Sequence, residues 1–192
     1  MNLIKFNLED LKKDLNGFSC YILGRSYDLE ENDVTKDYKK ALSYYQKGIS
    51  YNHPLCEYSL GISLLFGLED ILEKDEYKAN KLLINAYPRI LDLINNPKTS
   101  FAERLYAKFV TSAYYYFGLG IIKKEYNKAF KIIKECADNG HIAAIYDLGA
   151  NFYYNGIGTI KDLNKANYYL NIAKEANLPR AIKKYKEYKY DE

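Results

Sequence analysis

Apolar and small residues recur at three- and four-residue intervals in four separate segments of the chain, which is the pattern of an amphipathic helix. Each segment opens on a similar phrase of six residues that ends in alanine. The phrases are KDYKKA at 36–41, KDEYKA at 74–79, KEYNKA at 124–129 and KDLNKA at 161–166. Their final alanines, Ala41, Ala79, Ala129 and Ala166, are spaced by 38, 50 and 37 residues. This period predicts stacked helical hairpins, with an insertion in the middle interval.

The four recurring helices, which we call helix B, have predicted beginnings and ends. An acidic residue stands at the start of each, where the helix dipole and the free backbone amides favour negative charge. These residues are Asp37, Asp75, Glu125 and Asp162. Three of the helices run into Asn52, Gly140 and Asn177, which are residue types that tolerate the left-handed backbone closing a helix.

A second helix, helix A, is predicted upstream of each phrase. It contains the dipeptide Leu-Gly at 23–24, 60–61 and 148–149, whereas Val110 and Thr111 stand in its place in the third repeat. A glycine inside a helix costs about 0.5–1 kcal/mol relative to alanine. Its recurrence predicts that a neighbouring helix approaches too closely for a Cβ, and the small alanine of each phrase predicts the same tight contact.

The connections between these helices are predicted to be turns. Those at 117–125 and 154–162 contain G-x-G, but neither follows a strand or carries the full phosphate-binding fingerprint. The inserted segment at 88–100 interrupts the helical pattern with Asn95, Asn96 and Pro97. Ser100 and Glu103 then predict a capping box for the next helix.

The pattern A-x-x-x-L-G-x-x-[aromatic]-x-x-N-G-x-G-x-x-K-D-x-x-K-A at 144–166 resembles the Sel-one-like repeat, a relative of the tetratricopeptide repeat. The resemblance implies an all-α fold, a right-handed α/α solenoid of about four helix-turn-helix repeats in a single domain. The repeats are expected at about 16–52, 53–90, 101–140 and 141–177, with helical caps at 1–15 and 178–192 that have a polar outer face. The insertion and the missing Leu-Gly predict an irregular curvature near the third repeat.

Composition narrows the class of protein. Hydrophobic residues make up 48% of the 192 positions and charged residues 28%, as expected of a folded domain. The net charge of +3 does not point to nucleic acid or to an anionic membrane. No apolar run has the length of a signal-peptide core or a membrane span, so we expect a soluble, cytoplasmic protein. Three cysteines without a close pair fit a reducing compartment better than a disulfide framework.

Patterns that would indicate catalysis or metal binding are weak. His53 and His141 each follow a helix-closing residue, which predicts a loop or packing role. Cys56 and Cys136 take positions that small residues hold in other repeats, and Cys20 is isolated in sequence, so we expect small core residues. No His/Cys cluster and no nucleophile motif appears. We therefore predict no enzyme, no cofactor and no metal.

The resemblance places the binding surface on the A helices, which line the concave face. With the repeats aligned on Leu-Gly, the residue two before that leucine points into the groove. This position is held by Tyr21, Tyr58, Lys108 and Tyr146, and the groove further receives Arg25, Leu65, Phe66, Ser112, Tyr115, Tyr116, Tyr153 and Tyr154. Tyrosine and arginine dominate binding hot spots. The sequence leaves open whether these rings face a partner or pack between neighbouring A helices.

The leading hypothesis is a protein-binding adaptor or scaffold whose aromatic groove takes a partner peptide or helix. The alternative is a small inhibitor, such as an immunity protein that blocks a toxin or another enzyme. The mild positive charge argues against inhibition of a basic nuclease, which usually recruits an acidic partner. An enzyme would need facing carboxylates, and the spacing of acidic residues does not assemble them.

Overall fold

A computed structural model describes residues 2–189 of the chain. Within this range the regular elements are helical, and one isolated bridge joins Leu68 and Leu72. The helices are α1 (Leu8–Lys13), α2 (Gly17–Leu29), α3 (Tyr38–Ser50), α4 (Pro54–Phe66), α5 (Glu76–Asn95), α6 (Phe101–Phe117), α7 (Tyr126–Asp138), α8 (Ile142–Asp147), α9 (Leu163–Glu175) and α10 (Pro179–Lys189). α8 continues as a π-helical segment, Leu148–Tyr153. Residues 190–192 of the predicted C-terminal cap and Met1 of the N-terminal cap lie outside the described residues.

The predicted A and B helices are present in all four repeats. They pair as α2 with α3, α4 with α5, α6 with α7, and α8 with α9. The predicted insertion lengthens helix B of the second repeat, since α5 continues through Pro88 and ends at Asn95. Ser100 Oγ then accepts a hydrogen bond from the Glu103 N–H at 3.2 Å, which is half of the predicted capping box.

The packing divides the chain into two compact units, which are described separately. The N-terminal unit comprises residues 5–103 and 119–121, and the C-terminal unit comprises residues 2–4, 104–118 and 122–189. The core of the N-terminal unit includes Tyr21, Leu23, Tyr45, Leu55 and Leu83. The core of the C-terminal unit includes Ile133, Ile145, Leu148, Phe152 and Leu178. A single domain over 1–192 stays a prediction.

The interior glycines lie where helix A meets helix B. A Cβ on Gly24 would lie 2.5 Å from Cε1 of Tyr45, and a Cβ on Gly149 would lie 2.9 Å from the carbonyl oxygen of Ala166. The alanines that end the four phrases are at most 1% exposed. The predicted reason for the Leu-Gly dipeptide, a close approach of helix B, is therefore confirmed.

The repeated phrase forms a joint between the two helices of a hairpin. The Asp37 N–H donates to the carbonyl of Tyr27 at 2.9 Å, and the Asp37 carboxylate accepts from the Lys40 N–H at 3.0 Å. Asp75 and Asp162 make the same two kinds of bond in their repeats. The Lys40 ammonium lies 3.1 Å from the Asp37 carboxylate and 5.3 Å from the ring centroid of Tyr27. The phrase therefore caps helix B and fastens it to the end of helix A.

The third repeat has a different register from the predicted one. The joint N–H bonds to the carbonyl of Tyr27, Leu64 or Tyr115 in the first three repeats. Three residues before each acceptor stand Gly24, Gly61 and Ser112. Ser112 thus takes the glycine position, one residue later than the predicted replacement of Leu-Gly by Val110 and Thr111.

The fourth repeat contains an extra residue in helix A. The π-helical segment Leu148–Tyr153 widens one turn, so Gly149 stands four residues before the joint carbonyl of Tyr153. The carbonyl of Ala150 accepts from Asn155 Nδ2 at 3.2 Å and from the Tyr188 hydroxyl at 3.3 Å. The widened turn therefore also anchors α10, which carries Tyr188.

Candidate protein-binding surface

Four of the residues predicted to line the groove are buried in their own unit. They are Tyr21, Arg25, Ser112 and Tyr153. A buried side chain offers a partner little surface, so we do not assign a binding role to these four. Of the two alternatives that the sequence left open, side chains that face a partner are excluded for these four, since each is covered within its own unit.

Arg25 and Tyr21 belong to a buried network in the N-terminal unit. Nε of Arg25 lies 3.0 Å from Oε2 of Glu31, and Nη2 lies 2.8 Å from Oε1. Burial raises the pKa of Tyr21 to about 12, so its hydroxyl stays protonated. Breaking a buried two-point ion pair is costly because one charge remains without compensation. The pair therefore holds the connection that follows α2.

Ser112 and Tyr153 pack within the C-terminal unit. Ser112 Oγ donates to the carbonyl of Phe109 at 2.6 Å. The Tyr153 ring is parallel to that of Tyr169, with planes 3° apart and centroids 5.7 Å apart, and Lys165 lies 5.3 Å from its centroid. This stacking connects the end of helix A to α9.

Seven of the predicted residues are half-buried. Lys108 forms an ion pair with Glu135, and Tyr115 has the Lys128 ammonium 4.0 Å from its ring centroid. Tyr146 and Tyr154 are covered by α10, and Tyr116 packs against the exposed Phe117. Tyr58 and Leu65 complete the set and lie on α4.

Tyr146 and Tyr154 lie beneath side chains of α10. The rings of Tyr154 and Tyr188 stack with centroids 3.9 Å apart and planes 5° apart. The Arg180 guanidinium lies 4.7 Å from the centroid of Tyr146. Tyr146 and Tyr154, which were predicted to face a partner, therefore hold the C-terminal helix.

Two exposed aromatic side chains lie at the C-terminal ends of A helices, Phe66 on α4 and Phe117 on α6. They are 52% and 48% exposed, and each directly precedes a glycine with positive φ, 75° at Gly67 and 72° at Gly118. The two phenylalanines hold equivalent positions at the ends of α4 and α6. The prediction included Phe66 but missed Phe117, although the repeated dipeptide Phe-Gly at 66–67 and 117–118 is a signal for both.

Phe117 belongs to an aromatic cluster in the C-terminal unit. The Tyr116 ring lies 4.8 Å from that of Phe117 and 5.5 Å from that of Tyr126, both in edge-to-face geometry. We call Tyr116, Phe117 and Tyr126 the aromatic edge. Exposed lysines surround it in sequence at 123, 124 and 128, and the Lys124 ammonium lies 5.8 Å from the Tyr126 centroid. An aromatic surface bordered by lysines suits a protein segment that combines an apolar side chain with acidic neighbours.

The predicted packing roles of the histidines are confirmed. His141 is fully buried between the rings of Tyr106 and Phe109, at 4.1 and 4.3 Å, and its Nδ1 accepts from the Ala144 N–H at 3.2 Å. His53 is buried as well, with Nε2 3.0 Å from Oε1 of Glu103. Both rings thus fasten the start of a helix A.

The cysteines are core residues, as predicted. Cys20, Cys56 and Cys136 are free and buried, and burial raises the pKa of each thiol, to about 12 in Cys136. In the part of the chain that the structure describes, no group of three or more His, Cys, Asp or Glu side chains is placed to hold a metal ion. Among residues 2–189, no helix combines the length and the apolar character needed to cross a membrane.

Comparison with known proteins identifies the repeat. A family profile described as "Sel1 repeat" matches residues 17–50, 54–87, 100–141 and 142–178. No curated protein matches the chain. The family match confirms the all-α, helical-repeat fold class that the sequence predicts.

Several solved structures are similar at low identity. A Sel1 repeat protein from Oxalobacter formigenes is 23% identical, with a TM-score of 0.45 over 86% of this chain and 59% of that protein. A Sel1 repeat protein from Klebsiella pneumoniae is 18% identical, with a TM-score of 0.44 over 94% of this chain and 81% of its own. The immunity protein Pa5087 from Pseudomonas aeruginosa is 16% identical, with a TM-score of 0.42 over 94% and 74%. The chain thus spans less than two thirds of the Oxalobacter protein.

Proposed function

We propose that this chain, which belongs to the Sel1 repeat family, binds another protein through exposed aromatic side chains at the C-terminal ends of its A helices. Sel1 repeat proteins are generally non-catalytic protein-interaction modules. The observation that carries the proposal is that Phe66 and Phe117, at equivalent positions, each keep about half of their surface in solvent. Large aromatic side chains are the residues that most often anchor protein interfaces.

Of the two phenylalanines, Phe117 is the better-supported binding residue, because it belongs to the aromatic edge. The Phe117 ring packs edge-to-face against the Tyr116 ring, which in turn packs against the Tyr126 ring, so little side-chain entropy is lost when a partner covers Phe117. The lysines at 123, 124 and 128 favour acidic residues beside the apolar anchor of the partner. We therefore expect the affinity to fall as the salt concentration rises, because exposed charges are screened.

This proposal replaces part of the predicted groove. It retains Phe66 and Tyr116 and adds Phe117 and Tyr126. The inhibitor alternative, the adaptor role and the cytoplasmic location stay predictions, and a likeness to an immunity protein at 16% identity carries no information on the partner of this chain.

Site-specific photo-crosslinking tests the proposal directly. A chain with Phe117→p-benzoylphenylalanine would be irradiated in an extract of the native source, and crosslinked proteins would be identified by mass spectrometry. The control is the same replacement at Tyr168, which is 61% exposed but lies on helix B of the fourth repeat. We expect a discrete crosslinked partner from position 117 only. Identical products from both positions, or none from position 117, would contradict the aromatic edge as the site.

A further inference from the structure

A short segment at the start of the chain lies against the turn between α7 and α8. The Ile4 N–H donates to the carbonyl of Gly140 at 3.0 Å. Leu3 and Ile4 are half-buried against the hydrophobic core of the C-terminal unit. Residues 2–4 are outside any helix, and their contact with the unit includes a main-chain hydrogen bond and two aliphatic side chains. These are the components by which proteins bind non-helical peptide segments.

The N-terminal segment, and not the backbone of the turn, explains why position 140 is a glycine. The corresponding turns contain Asn52 and Asn177, which have φ of 58° and 61°, and Gly140 has φ of 82°. Asparagine therefore satisfies the left-handed backbone in two of the three turns. At position 140, however, a Cβ would collide with the carbonyl oxygen of Asn2. The missing side chain makes room for the segment.

The carbonyl of Gly140 accepts a hydrogen bond from a residue outside α7 and α8. In the N-terminal unit the equivalent carbonyl, that of Asn52, accepts from the guanidinium of Arg89, which also donates to Asn52 Oδ1 at 2.7 Å. In the C-terminal unit the Ile4 N–H fills the same role. The turn therefore offers a fixed acceptor beside an apolar surface, which an incoming main-chain N–H can use.

We propose that the Gly140 turn and the adjoining core surface form a binding slot for a peptide segment with two consecutive aliphatic residues, and that residues 2–4 occupy it within the chain. A protein segment with the chemistry of Asn2–Ile4 competes for the slot by displacing them. The slot lies at the opposite helix ends from the aromatic edge, because α7 ends and α8 begins there. Binding at the slot is thus independent of the proposed function.

A labelled peptide tests the slot in the full-length protein. The probe is a fluorescent peptide with the sequence of residues 1–7, MNLIKFN, followed by fluorescence anisotropy. Leu3→Asp disfavours the internal segment and opens the slot, so we expect the peptide to bind this variant at least tenfold more tightly than the wild type. Adding Gly140→Asn to Leu3→Asp should abolish binding, since Asn fits the turn but obstructs the slot. A control peptide, MNDIKFN, should not bind.

Two results would overturn the proposal: failure of the folded Leu3→Asp protein to bind the peptide, or equal binding after Gly140→Asn is added. Hydrogen exchange keeps the proposal testable if Leu3→Asp does not fold. The Ile4 amide should be protected in the wild type, and Gly140→Asn should abolish that protection. The matched change Asn177→Gly, in the turn before α10, should leave it intact. An unprotected Ile4 amide in the wild type would refute the docked segment.

Discussion

At the scale of single residues, interior glycine positions have the least room for change. Gly24→Ala should lower the free energy of unfolding by about 1–3 kcal/mol, because the added methyl overlaps the Tyr45 ring. That loss exceeds the benefit of alanine in a helix, which is about 0.5–1 kcal/mol. Urea unfolding followed by circular dichroism would measure both this variant and Gly61→Ala. The Gly61→Ala variant should lose less stability, since its nearest contacts are the Leu83 side chain at 3.0 Å and the Ala79 carbonyl oxygen at 3.4 Å. A Gly24→Ala protein as stable as the wild type would contradict the close contact.

The three thiols should be inert in the folded protein. All are buried, and burial raises their pKa, so the nucleophilic thiolate is scarce at neutral pH. An aromatic disulfide reagent at pH 8 should release almost no chromophore until guanidinium is added, and then three equivalents. Rapid reaction of one thiol in the native protein would show that its helix contact opens easily.

At the scale of helices, α7 begins less favourably than the other B helices. Glu125 makes no side-chain hydrogen bond to its helix, whereas Asp37, Asp75 and Asp162 each accept from a backbone N–H. The shorter side chain of Glu125→Asp should restore that bond and raise Tm by about 2–4 °C, which corresponds to about 1 kcal/mol in a domain of this size. The reverse change, Asp162→Glu, should lower Tm. Thermal melting would measure the Tm of both variants. A lower Tm for Glu125→Asp than for the wild type would contradict this role of the cap.

Some features of the helices can be predicted from the local sequence, and others cannot. Helix A, helix B and the Leu-Gly contact follow from periodicity and turn residues, which are local signals. The π-helical turn at Leu148–Tyr153 contains Gly149, but Leu-Gly also occurs in the first and second repeats, where no residue is inserted, so alignment by spacing misses the extra residue. Likewise Tyr21 and Arg25 lie on a helix buried on most sides, and periodicity does not distinguish a neighbouring helix from a partner protein. Phe117 was missed because the alignment of the third repeat was one residue out of register.

At the scale of the whole molecule, the repeated caps predict a sensitivity to acid. Hydrogen bonds from the backbone N–H and side chain of Lys40, Lys78 or Lys165 lower the pKa of Asp37, Asp75 and Asp162. A lowered pKa means that the unfolded chain takes up protons first, so this stabilisation is present above the ordinary aspartate pKa, about 3.9. It is lost as the pH falls from there through the folded-state pKa values.

Replacing all three caps by asparagine tests this sensitivity. Asparagine also caps helices well but does not titrate, so Asp37→Asn/Asp75→Asn/Asp162→Asn should lose less Tm between pH 7 and pH 3 than the wild type. Buried Asp28 acts in the opposite sense, because desolvation raises its pKa, and it is unchanged in both proteins. Equal losses of Tm in the two proteins would exclude the caps as the cause.

The central claim is that partner binding depends on the exposed phenylalanines at the ends of the A helices. The most direct measurement is the Kd of the crosslinked partner for wild type, Phe66→Ala/Phe117→Ala and Tyr168→Ala, after circular dichroism has shown equal helicity. Loss of a hot-spot side chain costs about 2 kcal/mol or more, which corresponds to a Kd roughly thirtyfold weaker. The account predicts that weakening for the double variant and an unchanged Kd for Tyr168→Ala. Wild-type affinity in the double variant would contradict it.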